Sequence, residues 1–266
     1  MSARFSNLPF DILMRILFCV RSVFSFLLGG ERCLRCGKRT LVTPLCAKCS
    51  SLFLKSIHAS GQRCKVCGKP LVSEIGICTT CRDSCVVKTA DRIFPIQTYR
   101  LWKKNLLFSW KMQEKRSLSP FFAASVEQKI KLVESEVCLK NLPIVPVPPR
   151  PGKIRAVGWD QIDELCFYLR LGYRRKILPL LERKSKIQQK KLGREQRLES
   201  IGSSYFPVSE KKFQKVLKSI AGGKIPKAVI LLDDVMTTGS TLEDCSEILK
   251  KMGVEKVYCV TLFIVA

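Results

Sequence analysis

The chain has 266 residues, of which 46% are hydrophobic, so it is long and apolar enough for one good-sized core with a small accessory module, and global disorder is excluded. Its 47 basic residues against 22 acidic ones give a formal charge of +25. This excess predicts a polyanionic partner, and charge alone does not choose among nucleic acid, a phosphorylated metabolite and an anionic membrane.

The first predicted element is an apolar segment over residues 1–30. Arg15 and Arg21 interrupt it before it reaches the roughly 20 apolar residues that a membrane span needs. It also lacks the charged start and the cleavage site of a secretory signal. We interpret it as an amphipathic or core-packing helix, with membrane-surface association as the alternative. A cytoplasmic location is predicted, with peripheral attachment to the inner face of the membrane as its variant.

Residues 31–90 contain a repeated cysteine module. Two C-x-x-C pairs separated by nine residues are followed by two more separated by ten, and CLRCGK and LCAKC in the first copy match CKVCGK and ICTTC in the second. Four thiolates in two such pairs can surround one tetrahedral zinc ion, whose ligation folds a segment with little core of its own. The predicted ligands are Cys33, Cys36, Cys46, Cys49, Cys64, Cys67, Cys78 and Cys81.

The repeat favours two structural zinc sites, each formed by consecutive pairs. A cross-braced arrangement fits the same spacing, and an iron–sulfur cluster or the loss of one site are further alternatives. Gly37 and Gly68 follow the second cysteine in each copy, where a tight metal-binding turn can require positive φ. Because a reducing compartment disfavours disulfides, the remaining cysteines are expected to be free. Cys85 is interpreted as a spare thiol, and small core residues are predicted at Cys19, Cys138, Cys166, Cys245 and Cys259.

From residue 91 the composition changes to mixed strand and helix patterns. DRIFPIQTYR predicts an edge strand containing Pro95, and the following LWKKNLLFSWK has apolar residues at helical spacing among lysines. Trp102 and Trp110 on that helix are expected in the core, although tryptophans among lysines could also stack on bases. The single histidine, His58, is interpreted as a linker residue, which leaves little for a Ser-His or Cys-His mechanism.

The next segment, NLPIVPVPPRPGKIR, predicts a short strand followed by a proline-rich loop that proline keeps rigid. A helix is predicted to begin near Asp160. The basic residues of the loop either form a solvated surface or face a diphosphate. The basic segment at residues 183–197 has the same two interpretations, a solvated face or contact with the phosphates of a ligand or nucleic acid.

The last part of the chain predicts a βαβ unit of a parallel sheet. KAVILLDD is continuously apolar and ends in Asp233 and Asp234, a helix follows up to Gly253, and KVYCVTLFIVA is a further buried strand. Ligands of such sheets lie at the carboxyl ends of the strands, where residues 233–241 are expected.

Residues 237–241 of this unit have the chemistry of a phosphate site. Backbone amides and hydroxyls at a helix N-terminus favour an anion, and the two aspartates can accept hydrogen bonds from sugar hydroxyls. The chain has neither G-x-G-x-x-G nor G-x-x-x-x-G-K-[ST]. The alternative is a simple helix cap, since Thr241 and Asp244 have the spacing of a capping box.

VILLDDVMTTGST resembles the phosphoribosyl-diphosphate signature of type I phosphoribosyltransferases. From Cys33 onward the chain resembles the ComF branch, which includes competence-associated proteins of DNA uptake and GntX-like proteins and joins a zinc module to a phosphoribosyltransferase domain. VPVPPRPGKIRAVGWDQ and QKKLGREQR are similar to two further segments of the branch. The chain departs from the family pattern at Asp160, Gln188 and Ser200, where asparagine, proline and asparagine are usual.

The resemblance implies an α/β fold for residues 91–266, a type I phosphoribosyltransferase-like parallel sheet flanked by helices. It implies that the candidate catalytic residues Asp233 and Asp234 contact the ribose. It implies a 5-phosphate held by Thr237, Thr238, Gly239, Ser240 and Thr241. It further implies a diphosphate-facing loop made of Val147, Pro148, Pro149 and Arg150. Magnesium would bridge diphosphate and ribose oxygens.

Two functional hypotheses follow. The first is a ComF-like protein that binds phosphoribosyl diphosphate or a related ribose phosphate and assists handling of single-stranded DNA, with DNA-uptake proteins as partners. If it is an enzyme, a nucleophile displaces diphosphate at C1 of the ribose, and no residue identifies that acceptor. The second is a non-catalytic, zinc-dependent nucleic-acid-binding module with a regulatory or vestigial sugar-phosphate site. The complete DDVMTTGST stretch favours a working ligand pocket.

Overall fold

A parallel sheet organises the chain in the computed structural model, which describes residues 20, 30–55, 57, 62–83, 87–184 and 204–265. Several predictions concern residues outside these ranges. They are the helix within residues 1–30, Cys19, His58, Cys85, Gln188, Ser200 and most of the basic segment 183–197.

The described strands are β1 (Glu31–Arg32), β2 (Arg39–Thr40), β3 (Arg92–Thr98), β4 (Ile144–Pro146), β5 (Leu181–Arg183), β6 (Tyr205–Pro207), β7 (Ala228–Met236) and β8 (Lys256–Ile264). The described helices are α1 (Ala47–Lys55), α2 (Thr79–Asp83), α3 (Trp102–Lys111), α4 (Ser119–Glu136), α5 (Lys153–Val157), α6 (Gln161–Tyr173), α7 (Glu210–Ile220) and α8 (Ser240–Lys251). No helix in these ranges is long and apolar enough to cross a bilayer.

The main sheet has the strand order β3-β8-β7-β4 and every pair is parallel. The unit β7-α8-β8 is the βαβ unit predicted from the sequence, and the α/β class is confirmed. Beyond β4, a parallel bridge between Ile144 and Ile177 extends the sheet by one further segment. The hairpins β1-β2 and β5-β6 are separate two-stranded, antiparallel sheets.

The two faces of the sheet have separate hydrophobic cores because side chains alternate along each strand. Ile230 and Leu232 of β7 lie in the core that helices α4 and α6 cover, whereas Val229 and Leu231 lie in the core on the α8 face. Both faces of β7 are therefore buried, which explains why its sequence is continuously apolar rather than alternating.

The two cysteine modules lie on opposite faces of the sheet. Residues of the first module belong to the α4 and α6 core, and those of the second belong to the α8 core. Phe53 of α1 is fully buried, with its ring centroid 5.0 Å from that of Phe121 and 6.5 Å from that of Phe263 on β8. Its carbonyl accepts a 2.8 Å hydrogen bond from Gln97 Nε2 on β3. The first module is therefore part of the core that helices α4 and α6 cover.

The second module contacts β3, which forms one edge of the sheet as predicted. Gly68 has φ of +70° and lies so close to this strand that a Cβ atom there would be 2.6 Å from the carbonyl oxygen of Ile93. Gly37 has φ of +72° at the matching position of the first module. Glycine is therefore required in both turns for its backbone conformation, and at Gly68 also for its lack of a side chain.

The fold settles the interpretation of Trp110 and corrects that of one cysteine. Trp110 is fully buried and its Nε1 donates a 2.8 Å hydrogen bond to Ser119 Oγ, so it is a core residue that cannot stack on bases. Cys166, Cys245 and Cys259 are buried as predicted. The prediction for Cys138 is wrong: it is exposed just after α4, at a positive φ of 54° where the chain leaves the helix.

Candidate functional site

A cavity of about 480 Å³ opens at the carboxyl ends of β4 and β7. Of the predicted site residues it brings together both aspartates, the whole Val147–Arg150 loop and Thr241. Its full lining is Lys111, Met112, Val147, Pro148, Pro149, Arg150, Lys153, Asp160, Gln161, Ile162, Arg183, Tyr205, Asp233, Asp234, Val235 and Thr241.

The cavity forms where β7 loses one of its two neighbouring strands. On one side β7 pairs with β4 only as far as Leu232, opposite Pro146, and Val147 N donates the last bond to the Leu232 carbonyl at 3.0 Å. On the other side β7 stays paired with β8 as far as Met236. The expectation that the strand ends at the aspartates is wrong, because β8 holds this segment extended. Asp233 and Asp234 lie within the strand, beside the gap that β4 leaves.

The two aspartates have different surroundings. Asp233 is 9% exposed, and burial, followed by repulsion from Asp234, raises its pKa to about 7. Its Oδ1 accepts a 2.8 Å hydrogen bond from Asp234 N. Asp234 instead forms an ion pair with Lys111, with 2.6 Å between Oδ2 and Nζ. The charge of Asp234 is thus neutralised by Lys111, whereas Asp233 is buried beside the negative charge of Asp234.

A second internal ion pair lies across the cavity. Lys153 Nζ is 2.6 Å from Asp160 Oδ2 and also donates to Gln161 Oε1. Asp160 is the predicted start of α6, and its Oδ1 caps the helix by accepting from the backbone N–H groups of Ile162 and Asp163. Asparagine, usual here in the family, could cap in the same way, whereas aspartate adds a charge that holds Lys153.

The predicted phosphate loop lies at the N-terminus of α8. Thr237, Thr238 and Ser240 are exposed, and the first N–H groups of a helix have no intrahelical acceptor. The capping-box alternative is wrong, because the N-cap residue is Gly239 and no side chain caps the helix. Thr241 lies inside the helix, and it lines the cavity together with Tyr205.

Gly239 connects the phosphate loop to the chain that leaves the second cysteine module. Its φ is +94°, and a Cβ atom there would be 2.4 Å from Val87 Cγ2. Four residues further on, Glu243 accepts hydrogen bonds from Lys88 N at 2.8 Å and Thr89 Oγ1 at 2.7 Å. The resemblance implies that Gly239 helps to hold a 5-phosphate; the structure adds a packing reason for glycine at this position, the close contact with Val87.

Several lining residues were missed by sequence reasoning. Lys111 comes from α3 and Tyr205 from β6, both far from the aspartates along the chain. The guanidinium of Arg183 lies over the Tyr205 ring, 5.1 Å from its centroid. Arg183 was noted only as part of a basic run. No local motif marks these positions, since they reach the cavity through the fold.

The eight predicted ligand cysteines form two groups in which all Sγ atoms lie within 4.8 Å of one another. The groups join consecutive pairs, Cys33 to Cys49 and Cys64 to Cys81, so the cross-braced arrangement is wrong. In each group two sulfurs of different pairs are 3.7 Å apart. This separation matches the edge of a tetrahedron with metal–sulfur bonds of about 2.3 Å and is far longer than a disulfide bond. Both groups could hold structural zinc.

The cysteine groups also have the charge pattern of a cation site. Burial acts to raise the pKa of Cys33 and Cys64, but surrounding backbone N–H groups outweigh it and lower these values to about 6 and about 7. Burial raises the pKa of Cys49 and Cys67 to about 12. Backbone hydrogen bonding at Cys49 also lowers the pKa of Cys46. Each module therefore stabilises at least one thiolate by itself, and a bound cation would stabilise the others.

Comparison with known proteins agrees with this architecture. The family model of the phosphoribosyl transferase domain matches residues 188–265, which include β7, α8 and β8. The competence protein ComFC of Streptococcus pneumoniae (strain ATCC BAA-255 / R6) is 25% identical over 240 residues, which cover 85% of this chain and 96% of the relative. The similarity to this relative thus extends over most of the chain, well beyond the part that the domain model matches.

We expect protein purified without chelator to contain close to two zinc ions per chain, because each cysteine group supplies a full tetrahedral ligand set. Cys64→Ser should lower this to about one, and Cys138→Ser, which changes an exposed cysteine outside both groups, should leave it at two. Elemental analysis measures the content. Less than one zinc in the unaltered protein would contradict the structural-zinc interpretation.

Asp233→Asn should stabilise the ligand-free protein in alkaline but not in acidic buffer. The folded-state pKa of about 7 lies above the ordinary value of 3.8, so the folded state holds this proton more tightly and stability falls as pH rises through that interval. Asparagine does not ionise. Thermal unfolding between pH 5 and 9 should show the variant's advantage growing up to about pH 7 and levelling off above it, whereas Glu247→Gln, exposed on α8, should show no such change. A difference in unfolding midpoint between Asp233→Asn and the unaltered protein that does not change with pH would contradict the raised pKa of Asp233.

Proposed function

We propose that the chain is a phosphoribosyltransferase-domain protein of the ComF family and that its cavity binds phosphoribosyl diphosphate or a related ribose phosphate. The observation that carries the proposal is the convergence of both aspartates, the proline-rich loop and Thr241 on one cavity. Its volume of about 480 Å³ is within the range of small-molecule sites. The ends of two adjacent strands of an α/β sheet are also where such ligands bind.

The arrangement of charge in the cavity fits a sugar with phosphates at both ends. The two aspartates, which lie within β7 beside the gap left by β4, can accept hydrogen bonds from the ribose hydroxyls, and the α8 N-terminus can hold the 5-phosphate. Basic side chains lie on the surrounding loops, helices and strand β5, where they can face the diphosphate. They are Lys111, Arg150, Lys153 and Arg183.

Asp233 and Asp234 also suit a magnesium ion that accompanies the ligand. Mg²⁺ prefers carboxylate and phosphate oxygens, and the repulsion that raises the pKa of Asp233 is what a cation would relieve. When bound with the diphosphate, magnesium supplies positive charge that stabilises the departing oxygens. The aspartates orient the ribose hydroxyls in this scheme.

The ion pairs within the cavity suggest how the basic residues take part. Lys111 and Lys153 are held by Asp234 and Asp160 in the ligand-free protein. A diphosphate carries more charge than one carboxylate and offers more acceptor oxygens, so both amines can shift toward it. Asp234 is then released for the ribose or the metal ion, and the ligand replaces internal pairs without leaving a buried charge unpaired.

Isothermal titration with phosphoribosyl diphosphate and magnesium tests the proposal. At pH 8, where Asp233 is ionised, we expect saturable binding that Asp233→Asn with Asp234→Asn weakens at least tenfold. The reason is the loss of charged hydrogen bonds worth about 1.5–3 kcal/mol each. Binding should also weaken as pH falls below about 7, because Asp233 then takes up its proton.

Glu247→Gln is the matched control, since Glu247 is exposed on α8 and does not line this cavity. Its affinity should equal that of the unaltered protein. Zinc content should be the same in all variants. A double aspartate variant that binds as tightly as the unaltered protein would exclude the sugar-phosphate assignment.

We further propose that the protein binds single-stranded DNA, as its similarity to a competence protein suggests. The charge of +25 supports this proposal, because phosphate neutralisation supplies much of the free energy of nucleic-acid binding. The buried position of Trp110 argues against a large role for aromatic stacking, which leaves contacts with the phosphate backbone as the main mode.

Binding of a fluorescent oligothymidylate should weaken steeply with salt, in a linear relation between the logarithms of affinity and salt concentration. Oligonucleotides of different sequence should bind within a few-fold of one another, since the phosphates are shared. Fluorescence anisotropy measures both. An affinity indifferent to salt would rule out this mode.

A further inference from the structure

The outer face of α3 exposes a row of large apolar side chains. Leu101, just before the helix, is 86% exposed, Phe108 is 51% exposed, and Met112, just after the helix, is 70% exposed. Because residues four and seven apart lie on the same face of a helix, the three side chains follow one line along α3. We call them the apolar row. Single exposed apolar residues are ordinary, but a contiguous row is a candidate interaction surface.

The inner face of α3 packs against the core and takes both tryptophans of the helix. Trp110 is fully buried, as is Leu106 one turn before it. Trp102 packs with its ring centroid 6.1 Å from that of Phe53 in the first cysteine module. The rings that the sequence offered for base stacking are thus turned inward, whereas the ring of Phe108 is turned outward.

The apolar row lies among positive charges. Residues 100–116 include six basic residues and one acidic residue, Glu114. Lys104 is exposed four residues before Phe108, and therefore on the same face of α3. A basic surface that also exposes an aromatic ring is complementary to a partner that is polyanionic and carries flat apolar groups.

The apolar row leads to the mouth of the cavity. Met112 belongs to the row and also lines the cavity, together with its neighbour Lys111. One helical turn, about 5.4 Å, separates Met112 from Phe108. A partner that lies along the row therefore passes the basic residues of α3 and reaches the entrance of the site proposed for the sugar phosphate.

We propose that the apolar row is a contact surface for the bases of single-stranded DNA, and that one base stacks on the ring of Phe108. The inference rests on the DNA binding proposed above and names the surface that carries it. An aromatic ring accepts any base, because every base has a π-face, so the contact adds affinity without sequence preference. An anionic membrane is the less favoured partner, since its binding depends on a larger buried apolar area than three side chains supply.

An abasic oligonucleotide tests the proposal, because it has the phosphates of oligothymidylate without the bases. In fluorescence anisotropy, the unaltered protein should bind oligothymidylate about tenfold more tightly than an abasic strand of equal length. Phe108→Ala should lose most of this preference and bind the abasic strand as well as the unaltered protein does. Phe167→Ala is the matched control, since it removes a 47% exposed ring from α6, and it should keep the preference.

The dependence on salt separates the ring from the charges beside it. Phe108→Ala should keep the slope of log affinity against log salt concentration, because no phosphate contact is lost. Lys104→Gln should lower the magnitude of that slope by about 0.7, the amount expected for one phosphate of a single strand. An unchanged slope in Lys104→Gln would place the strand away from α3 and overturn the surface.

Conservative variants of Phe108 distinguish stacking from general apolar contact. Phe108→Tyr keeps a ring and should bind oligothymidylate like the unaltered protein, whereas Phe108→Leu keeps apolar area without a ring and should bind nearly as weakly as Phe108→Ala. A membrane surface would give a different pattern with vesicles of phosphatidylserine and phosphatidylcholine. Phe108→Leu would retain vesicle binding, Phe108→Ala would lose it, and neither would change the affinity for DNA, which would overturn the proposal.

Two results with the unaltered protein would also overturn the inference, and they differ in what they leave standing. Equal affinity for oligothymidylate and the abasic strand would exclude the base contact but keep the phosphate-mediated binding of DNA. Binding of neither strand would exclude the proposed DNA binding as well. Titration with phosphoribosyl diphosphate keeps the cavity separate, because Phe108 does not line it and Phe108→Ala should match the unaltered protein in that assay.

Discussion

The early end of β4 is the constraint on which the candidate site depends. Because Pro146 is the last residue of β4 paired with β7, the following part of β7 has a neighbour on one side only. The space left by the missing strand is the cavity, and the loop that replaces the strand forms one of its walls. β8 meanwhile keeps this part of β7 extended, so that Asp233 and Asp234 are held rigidly beside the gap. Rigid placement on a strand is what a precise binding site requires.

The cysteine modules are part of this arrangement rather than an appendage to it. Phe53 joins the first module to the core beneath β8, and the segment that follows the second module contacts the phosphate loop through Val87 and Thr89. A metal ion bound by the second module would therefore also contribute to the position of Gly239 and of the α8 N-terminus. Metal binding by the second module would thus stabilise the position of the loop before α8, because a few buried contacts join the two.

The sequence predicted what depends on local pattern. The β7-α8-β8 unit, the edge position of β3, the glycine turns of both modules and the grouping of the cysteines all follow from spacing and periodicity, and the structure agrees with each. What depends on distant partners was missed. The length of β7 is determined by β8, Lys111 of α3 reaches Asp234 through the fold, and α8 begins after Gly239, so that Thr241 lies inside the helix instead of capping it.

The placement of the modules on both faces beside β3 has a consequence for solubility. An edge strand can recruit a strand from another molecule, and proteins resist this by covering, charging or interrupting the edge. Here Pro95 has no N–H group to offer at the edge, Arg92 places a charge on the strand, and the turn at Gly68 lies against it. Folding of the second module thus helps to protect the sheet from intermolecular β-pairing, so cysteines that could hold a metal would also act against aggregation.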